Sequence, residues 1–463
     1  MRILIYSANF APEQVGIGKY SGEMACWLAE RGHTLRIVAA PPYYPEWKLN
    51  PEYRRRRYRR EQWRGMAVWR APLWVPKSPG GLKRILHLMS FAITSFPLML
   101  RHVFWRPDVV ITVAPAFVCA PAGWLTARLC RAKAWLHVQD FEVDIAFELN
   151  LLKSKLLRRC ALRIERWMLC RFDSVSTISH NMMERLIAKG VPAERTRFFP
   201  NWVDTARIKP SGDGGSFRAL LGIAPDAIVV LFAGSLGAKQ GLTVIPAAAK
   251  ALAHRDNIVF VVCGDGVMKS LLTRETEGLP NVRLLPLQSF RRFGDLLCMA
   301  DIHLLPQNAD AADLVLPSKL SGMLASGRPV IATCRAGTEL ESVVSHCGIV
   351  VPPGDQKALG LAIEALADDP GIRVELGRHA RDWAVQHAER DTILEQVFGS
   401  LEGGDTSIRQ PETIIRDSPS RDALPPAVDD AAEDEFVPGW RWTNVRARGR
   451  PRLSRATPAK FLA

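Results

Sequence analysis

The hydrophobic positions of the chain fall into short apolar runs that alternate with helical segments. The first run, at residues 2–6, leads through a loop containing Gly16 and Gly18 into a helix predicted at Lys19–Arg31. A second apolar run follows at Thr34–Ala39. A strand, a glycine loop, a helix and a second strand in this order predict the start of a parallel α/β sheet.

The same alternation continues and pauses near Pro200–Asp204, before the polar, glycine-rich stretch Ser211–Ser216. Two α/β series predict two doubly wound, Rossmann-like domains at 1–205 and 206–402, with an interdomain cleft where ligands bind at the carboxyl ends of the strands. The pattern stops after Leu401, so 403–463 is predicted to be a disordered tail. Further predicted strands are Val109–Val113, Ala134–Val138, Ser174–Ile178, Ile228–Ala233, Ile258–Cys263, Val282–Leu285, Ile302–Leu305, Pro329–Ala332 and Gly348–Val351.

Composition agrees with a globular protein and adds an asymmetry of charge. The 463 residues are 48% hydrophobic and 23% charged, which excludes a disordered or collagenous chain. The net charge is +14, and residues 1–205 alone carry 32 basic and 16 acidic residues. Such a basic half attracts anionic lipid or phosphorylated substrates. No repeated basic and aromatic module is present, so nucleic acid is not a predicted partner.

The cysteines and the N-terminus bear on the compartment. Nine cysteines lie far apart without a CxxC pair, which predicts reduced thiols rather than disulfides or a zinc site. The N-terminal apolar run is too short for a signal peptide. We therefore expect a cytoplasmic protein.

A long apolar segment raises the question of a membrane. Residues 82–105 are apolar, and Lys83, Arg84, Arg101 and Arg106 bracket them. Three interpretations are open: an amphipathic helix that lies on anionic lipid together with the basic run Arg54–Arg60, a buried helix, or a two-helix membrane hairpin with 109–127. Peripheral association with the inner face of the plasma membrane is the prediction that suits the basic half.

Two glycine loops are candidates for anion binding. Gly16 and Gly18 open a helix after the first strand, where backbone N–H groups favour an anion. Ser21 stands where a dinucleotide fingerprint has its third glycine, which disfavours a nicotinamide cofactor. The same loop can also be simply a tight turn.

The second loop adds a cation. Gly234 and Ser235 follow the strand Ile228–Ala233, and Lys239 precedes the next helix, so a bound diphosphate is predicted here. The P-loop spacing of nucleoside triphosphatases is absent, so ATP hydrolysis is not expected. Gly264 and Asp265 end the next strand in the same way and are expected to border the same site.

In order and spacing these motifs carry a resemblance. The chain resembles the retaining, nucleotide-sugar-dependent glycosyltransferases of family 4, over about residues 1–400. Within that family it is similar to the bacterial enzymes of colanic acid and related exopolysaccharide assembly. The motifs are the Gly16-Ile17-Gly18 loop, Trp135–Phe141, Pro200–Asp204, Gly234 to Gly241, Gly264-Asp265-Gly266, and Leu316-Pro317-Ser318-Lys319 with Ala325–Val330.

The resemblance implies a GT-B fold and assigns donor residues by position. Two departures from the family pattern stand out. Ser235 replaces an arginine that many members place on the diphosphate, and Leu314 and Gly322 occupy the places of a glutamate pair. The residues expected at the donor are Gly234, Ser235, Lys239, Gly264, Asp265, Asp313, Leu316, Pro317, Ser318, Lys319 and Glu339.

Catalytic groups of the first domain are sought at the end of the strand Ala134–Val138. A histidine of similar enzymes that touches the transferred sugar has His137 or Gln139 as its counterpart, and His137 is the preferred candidate. Asp140 is the second candidate, as a base for an acceptor hydroxyl. A structural role for His137 and a helix-terminal role for Glu339 are the alternatives.

The implied reaction is sugar transfer from a nucleotide diphosphate-sugar to a lipid-diphosphate-linked oligosaccharide, with retention of anomeric configuration. Hexoses are the implied sugars, fucose among them. No cofactor is expected, and no metal is expected to be required. A non-hydrolysing nucleotide-sugar epimerase and a non-catalytic, nucleotide-binding membrane scaffold are the alternative functions.

Overall fold

The computed structural model describes 1–53, 57–77, 81–113, 115–144, 155–237, 240–289, 291–308, 316–399, 436–437, 440–443 and 452–455. The chain divides into two compact units, and it passes from the first to the second between Trp202 and Val203 and back between Arg390 and Asp391. We call these unit 1 and unit 2. Each is an α/β structure built on its own sheet, as the alternating pattern predicts.

Unit 1 contains an eight-stranded sheet with the order β3-β4-β2-β1-β5-β6-β7-β8. Every neighbouring pair is parallel except the hairpin of β3 and β4, which two residues with positive φ, Arg64 and Gly65, connect. The sequence analysis did not predict this hairpin. The strands are β1 Arg2–Tyr6, β2 Thr34–Ala39, β3 Arg59–Trp63, β4 Met66–Arg70, β5 Val109–Thr112, β6 Lys133–Val138, β7 Ser174–Thr177 and β8 Thr196–Phe198.

The hairpin and the apolar segment after it bear on two expectations, the role of the basic run Arg54–Arg60 and the possible membrane hairpin. Arg59 and Arg60 of the basic run belong to β3, an edge strand where charged side chains discourage pairing with another chain; Arg54–Arg56 lie outside the described residues. The segment 109–127 supplies β5 of the parallel sheet and most of the next helix. A membrane hairpin made of 82–105 and 109–127 is therefore wrong.

Helices connect the strands of unit 1. Ser179 begins one of them by accepting a hydrogen bond from the Met182 N–H at 3.2 Å. Single turns of 3-10 helix lie at Pro51–Tyr53, Val103–Trp105 and Ala193–Arg195. The α-helices are α1 Gly16–Glu30, α2 Gly81–His102, α3 Ala116–Cys130, α4 Lys155–Leu169 and α5 His180–Ala188.

Unit 2 contains a six-stranded sheet in which every pair is parallel, with the order β11-β10-β9-β12-β13-β14. Its central strands are continuous runs of buried apolar residues, as expected of a sheet covered on both faces. The strands are β9 Ile228–Ala233, β10 Ile258–Cys263, β11 Val282–Leu285, β12 Ile302–Pro306, β13 Val330–Thr333 and β14 Gly348–Val351.

Three helices of unit 2 begin at side-chain caps. Thr338, Asp355 and Asp369 each accept a hydrogen bond from a backbone N–H in the first turn of the helix that follows. The helices are α6 Gly215–Leu220, α7 Val244–Ala251, α8 Lys269–Glu275, α9 Phe293–Cys298, α10 Lys319–Ala325, α11 Glu339–Cys347, α12 Gln356–Asp368 and α13 Pro370–His387.

The last helix, α14 at Arg390–Phe398, belongs to unit 1 from Asp391 onward. Its side chains Ile393, Leu394, Val397 and Phe398 are buried in a core with residues of β1, β2, β5 and α1. The Phe398 ring lies 5.0 Å from that of Trp135 in β6. The predicted division, which gave all of 206–402 to the second domain, therefore differs from the structure because this apolar face completes the first core.

The C-terminal stretch 403–463, predicted to be disordered, falls mostly outside the described residues. Its described part consists of three short strands, β15 Phe436–Val437, β16 Trp440–Thr443 and β17 Arg452–Arg455. They pair antiparallel in that order.

Candidate active site

Two glycine turns interlock at the carboxyl ends of β9 and β10. The Gly234 N–H donates to the Cys263 carbonyl at 2.9 Å, and the Leu236 N–H donates to the Asp265 carbonyl at 2.8 Å. A Cβ on Gly264 would lie 1.9 Å from the Gly234 carbonyl oxygen, so a larger residue cannot stand there. Gly234, with φ of +151°, has a backbone conformation that other residues rarely adopt.

The cationic group at this turn is Lys319, the first residue of α10. Its ammonium donates to the Gln240 side-chain oxygen at 2.5 Å and lies 4.4 Å from the centroid of the Phe232 ring. A Cβ built on Gly234 would lie 3.2 Å from Lys319 Nζ, so the absent side chain leaves room for the ammonium.

The Lys319 ammonium is buried, so water solvates its charge poorly. Burial lowers the pKa of Lys319 to about 7. In the described part of the chain, its ammonium donates to the neutral amide of Gln240 rather than to a carboxylate. An anion that bound beside Gly234 would provide a counter-charge and stabilise the ammonium.

The end of β12 comes close to the same loop. A Cβ on Gly241 would lie 2.9 Å from the Gln307 carbonyl, and Gly241 itself has φ of +58°. Gln307 is held in turn by Thr333 at the end of β13, whose hydroxyl accepts from the Gln307 N–H at 2.9 Å. At both ends of the loop from Gly234 to Gly241, neighbouring backbone therefore approaches so closely that only glycine fits.

The structure brings four of the predicted donor residues together: Gly234, Gly264, Asp265 and Lys319. Ser235 is exposed on the first turn, and Glu339 begins α11 after β13. Leu316, Pro317 and Ser318 lead into α10, where the Pro317 carbonyl accepts from the Leu320 N–H at 2.9 Å. Lys239 and Asp313 lie outside the described residues.

Sequence reasoning missed Gln240 as the partner of Lys319. The signal was its place in the motif, between Lys239 and Gly241. Nothing in the one-dimensional pattern, however, brings position 240 to position 319.

In unit 1 the loop after β1 encloses a carboxylate. Glu13 is buried, and its Oε1 accepts from the N–H groups of Tyr43 and Tyr44, both at 3.0 Å. Its Oε2 accepts from the Asn9 side-chain amide at 3.0 Å. A Cβ on Gly18 would lie 2.6 Å from the Glu13 Cβ, so this glycine is required by the buried acid.

The loop after β2, which contains Tyr44, lies against the loop after β1. A Cβ on Gly16, whose φ is +60°, would touch the Tyr44 ring at 3.5 Å. Asp140, just beyond β6, is near enough to Tyr44 to contribute to the raised pKa of that phenol, although burial is the larger cause. Gly16 and Asp140 therefore both lie near Tyr44, whose backbone N–H donates to Glu13.

Sequence reasoning also missed Glu13 and Tyr44. An acid three residues before Gly16 was the available signal for Glu13. Its burial was not predictable, because acids at such places are usually solvated.

His137, the preferred catalytic candidate, is buried at the end of β6. Its Nδ1 lies 2.9 Å from the Ser176 hydroxyl, and its Nε2 lies 2.8 Å from the Gln139 side-chain nitrogen. Gln139 also donates to Asn201 at 3.2 Å. Burial lowers the pKa of His137 to about 3, so the ring is neutral near pH 7. Both ring nitrogens thus have partners inside unit 1.

Among the residues that the structure describes, no three His, Cys, Asp or Glu side chains come together in an arrangement that could hold a metal ion.

Comparisons with known proteins identify the family. Residues 15–202 match the model of the glycosyl transferase 4-like domain, and residues 227–369 match that of the glycosyl transferases group 1. The putative colanic acid biosynthesis glycosyl transferase WcaI of Escherichia coli K12 is 40% identical over 417 residues, which are 87% of this chain and 100% of that protein. The chain belongs to this glycosyltransferase family. The family predicted from the motifs is confirmed.

Solved structures show the fold of this glycosyltransferase. Sucrose-phosphate synthase of Thermosynechococcus elongatus superposes with a TM-score of 0.66 at 18% identity, covering 87% of this chain and 100% of that one. HepE of Anabaena, solved in complex with UDP and glucose, gives a TM-score of 0.61 at 17% identity with the same coverage. Both sheets of the glycosyltransferase are thus the Rossmann-like halves of a GT-B fold, which confirms the predicted fold class.

Proposed function

We propose that this glycosyltransferase moves a hexosyl group from a nucleotide diphosphate-sugar to a lipid-linked oligosaccharide during exopolysaccharide assembly. The observation that carries the donor is the Lys319 ammonium, which lies beside Gly234 at the carboxyl ends of the unit 2 strands with a neutral amide as its recorded partner. A pyrophosphate is the anion that such a turn accommodates. Lys239 keeps its predicted place on the same diphosphate.

The polymer is proposed from the relatives. WcaI bears the name of a colanic acid biosynthesis enzyme and aligns over its whole length. We therefore propose a colanic acid-like exopolysaccharide as the product, with fucose among the sugars to test. The basic first half, with 32 basic and 16 acidic residues in 1–205, suits a diphosphate-linked acceptor at the inner face of the plasma membrane.

In the proposed reaction the bond from the anomeric carbon to the β-phosphate oxygen breaks, and an acceptor hydroxyl oxygen bonds to that carbon on the same face from which the phosphate departs. Asp140 receives the hydroxyl proton, and the charge on the departing phosphate is stabilised by Lys319. His137, neutral and hydrogen bonded at both nitrogens, acts in this scheme by fixing Gln139 and Asn201. The anomeric configuration is retained.

The first experiment is a thermal-shift panel of uridine- and guanosine-diphosphate sugars on the full chain. A donor at 100 times its Kd stabilises the native protein by about 2.7 kcal/mol and raises Tm by a few degrees. UDP-glucose and GDP-fucose are the first pair, with UDP and GDP as controls for the nucleotide alone. If no nucleotide sugar raises Tm, the donor proposal is wrong.

The second experiment uses the donor that the panel selects. Incubation with extracted lipid-linked oligosaccharide should extend the lipid-linked product by one sugar, which mass spectrometry detects. Conversion of the nucleotide sugar in the absence of acceptor would instead indicate an epimerase. Donor binding without either product would indicate the scaffold.

A further inference from the structure

Three helices form one outer layer of unit 1. Helix α3 packs between α2 and α4, and α2 and α3 also contact the sheet through β2, β5 and β6. The outward sides of α2 and α4 carry large apolar side chains that the unit leaves exposed. Soluble proteins rarely leave such side chains contiguous, so this layer requires an explanation.

Helix α2 has two different faces. Its inner face, with Phe91, Leu98 and Met99, is buried. On its outer face, large apolar residues recur at intervals of four and three positions, the spacing of a single helical stripe. The exposed members are Leu82, Leu86, Met89, Ile93 and Phe96.

Helix α4 repeats this arrangement and was not singled out in the sequence. Leu156, Ile164 and Trp167 are exposed, whereas Met168 and Leu169 are buried. Trp167 is held by Trp124 of α3, with ring centroids 6.2 Å apart, and by the Arg171 guanidinium at 4.8 Å. The second stripe therefore sits beside α3 with an ordered aromatic side chain.

The charge of the layer has one sign. Helices α2, α3 and α4 contain nine lysines and arginines and a single acid, Glu165. Glu165 is only 5% exposed and pairs with Lys189. The solvent side of the layer therefore offers apolar stripes among cations.

The length of α2 alone would allow it to cross a membrane. Gly81–Trp105 has a mean hydropathy of 1.2 in its most apolar window. However, its polar groups are used inside the unit, because Tyr6 and Ser95 share a hydrogen bond of 2.6 Å and the His102 ring packs on Trp69 at 4.6 Å. A helix anchored in this way cannot leave the sheet to span a bilayer.

We propose that the outer faces of α2 and α4 together dock unit 1 onto an anionic lipid bilayer, with both helices lying in the plane of the interface. Apolar stripes enter the acyl boundary while the arginines contact lipid phosphates. The proposal deepens the membrane partner of the proposed function and rests on it for its biological purpose. A second copy would present basic against basic in a two-fold contact, which disfavours a dimer.

The test is vesicle sedimentation of the full chain without donor or acceptor. Vesicles of phosphatidylglycerol and phosphatidylcholine should bind the protein at least tenfold more strongly than vesicles of phosphatidylcholine alone. The double variant I93E/I164E should weaken binding to anionic vesicles by about tenfold or more, since both side chains leave the acyl boundary. V374E on α13 of unit 2, at a site 73% exposed, is the matched control and should bind as the wild type does.

A second variant keeps the test independent of the apolar changes. R159E/R163E reverses two exposed charges on α4 and should also reduce anionic-vesicle binding, with unchanged circular dichroism. Equal binding by wild type and both variants would overturn the proposal, as would dissociation of a wild-type dimer by I93E/I164E in sedimentation velocity. Donor-dependent Tm, measured in parallel, reports on unit 2 and separates a failure of docking from a failure of the proposed function.

Discussion

Equivalent glycine loops in the two units lie next to side chains of opposite charge, Glu13 in unit 1 and Lys319 in unit 2. In each sheet the first strand lies where the strand order reverses, β1 between β2 and β5, and β9 between β10 and β12. A glycine loop follows each strand. The loop of unit 1 closes on the carboxylate of Glu13, whereas the loop of unit 2 lies beside the ammonium of Lys319.

The difference lies in how each charge is satisfied. Burial raises the pKa of Glu13, but its carboxylate accepts three hydrogen bonds from its own unit. Lys319 donates to a neutral amide and is destabilised by burial. One loop architecture therefore surrounds an internally hydrogen-bonded carboxylate in unit 1 and lies beside a buried ammonium in unit 2, where we propose that an anion binds.

The largest effect is expected at Lys319. Lys319→Ala should weaken nucleotide-sugar binding at least 100-fold, because the ammonium beside Gly234 is lost. Isothermal titration with the donor measures this. Lys250→Ala, at an exposed position of α7, is the matched control and should leave the Kd unchanged. Equal Kd values for the two variants would remove Lys319 from the donor site.

Glu13 should show the complementary pattern. Glu13→Ala removes three hydrogen bonds and is expected to reduce the free energy of unfolding by about 2–4 kcal/mol. The loop of Tyr43 and Tyr44 should then move, which raises the acceptor KM about tenfold and leaves the donor Kd unchanged. Glu46→Ala, exposed in the same loop, is the control. A change in donor Kd would contradict the division of roles between the units.

The pH dependence of donor binding should sharpen the comparison. The pKa of Lys319 is about 7, so the ammonium is present below that pH and is lost above it. If the pyrophosphate binds only the ammonium form, the donor Kd should rise with pH above 7, by at most about tenfold per unit. Lys319→Arg stays charged and should give a flat profile between pH 6.5 and 8.5. A flat wild-type profile would refute the assignment.

His137 should not titrate near neutral pH. Burial lowers its pKa to about 3, so its ring stays neutral and its NMR signals should not shift between pH 5.5 and 8. The signals of the exposed His254 serve as an internal reference. A titration of His137 in this range would show that a catalytic histidine has been misread as a buried one.

Removal of divalent metal should have the smallest effect. In the proposed scheme Lys319 stabilises the departing phosphate, so turnover should be unchanged by EDTA. The measurement is the initial rate with and without chelator, with Mg²⁺ added back as the control. A rate that falls with EDTA and recovers with Mg²⁺ would contradict this scheme.

The parts predictable from sequence were those with strong local patterns. Buried parallel strands such as β9 and β10 are continuous apolar runs and were predicted with the bounds that the structure has. The hairpin of β3 and β4 was missed because its outer strand is an edge rich in arginine and lacks an apolar face. Helix α14 was assigned to the wrong unit, because periodicity identifies a buried face but not the core that buries it.

The candidate site divides in the same way. Glycines were predictable, since strand ends followed by glycine mark close backbone approach, as Gly264 does. Lys319 was predictable from the motif Leu316–Lys319, but its hydrogen bond with Gln240 joins positions 79 residues apart. The buried state of Glu13 depends on two N–H groups from a loop about 30 residues away, which no local pattern specifies.

The return of α14 to unit 1 has a consequence for biosynthesis. Val203–Arg390 is one continuous stretch of unit 2, and its two ends pair through the Val203 and Arg390 backbones, so this stretch can fold before the residues that follow it are translated. The core of unit 1 is completed later, because Leu394 and Phe398 are translated nearly two hundred residues after the rest of that core. The nascent N-terminal part therefore exposes an apolar surface while the residues between Trp202 and α14 are translated.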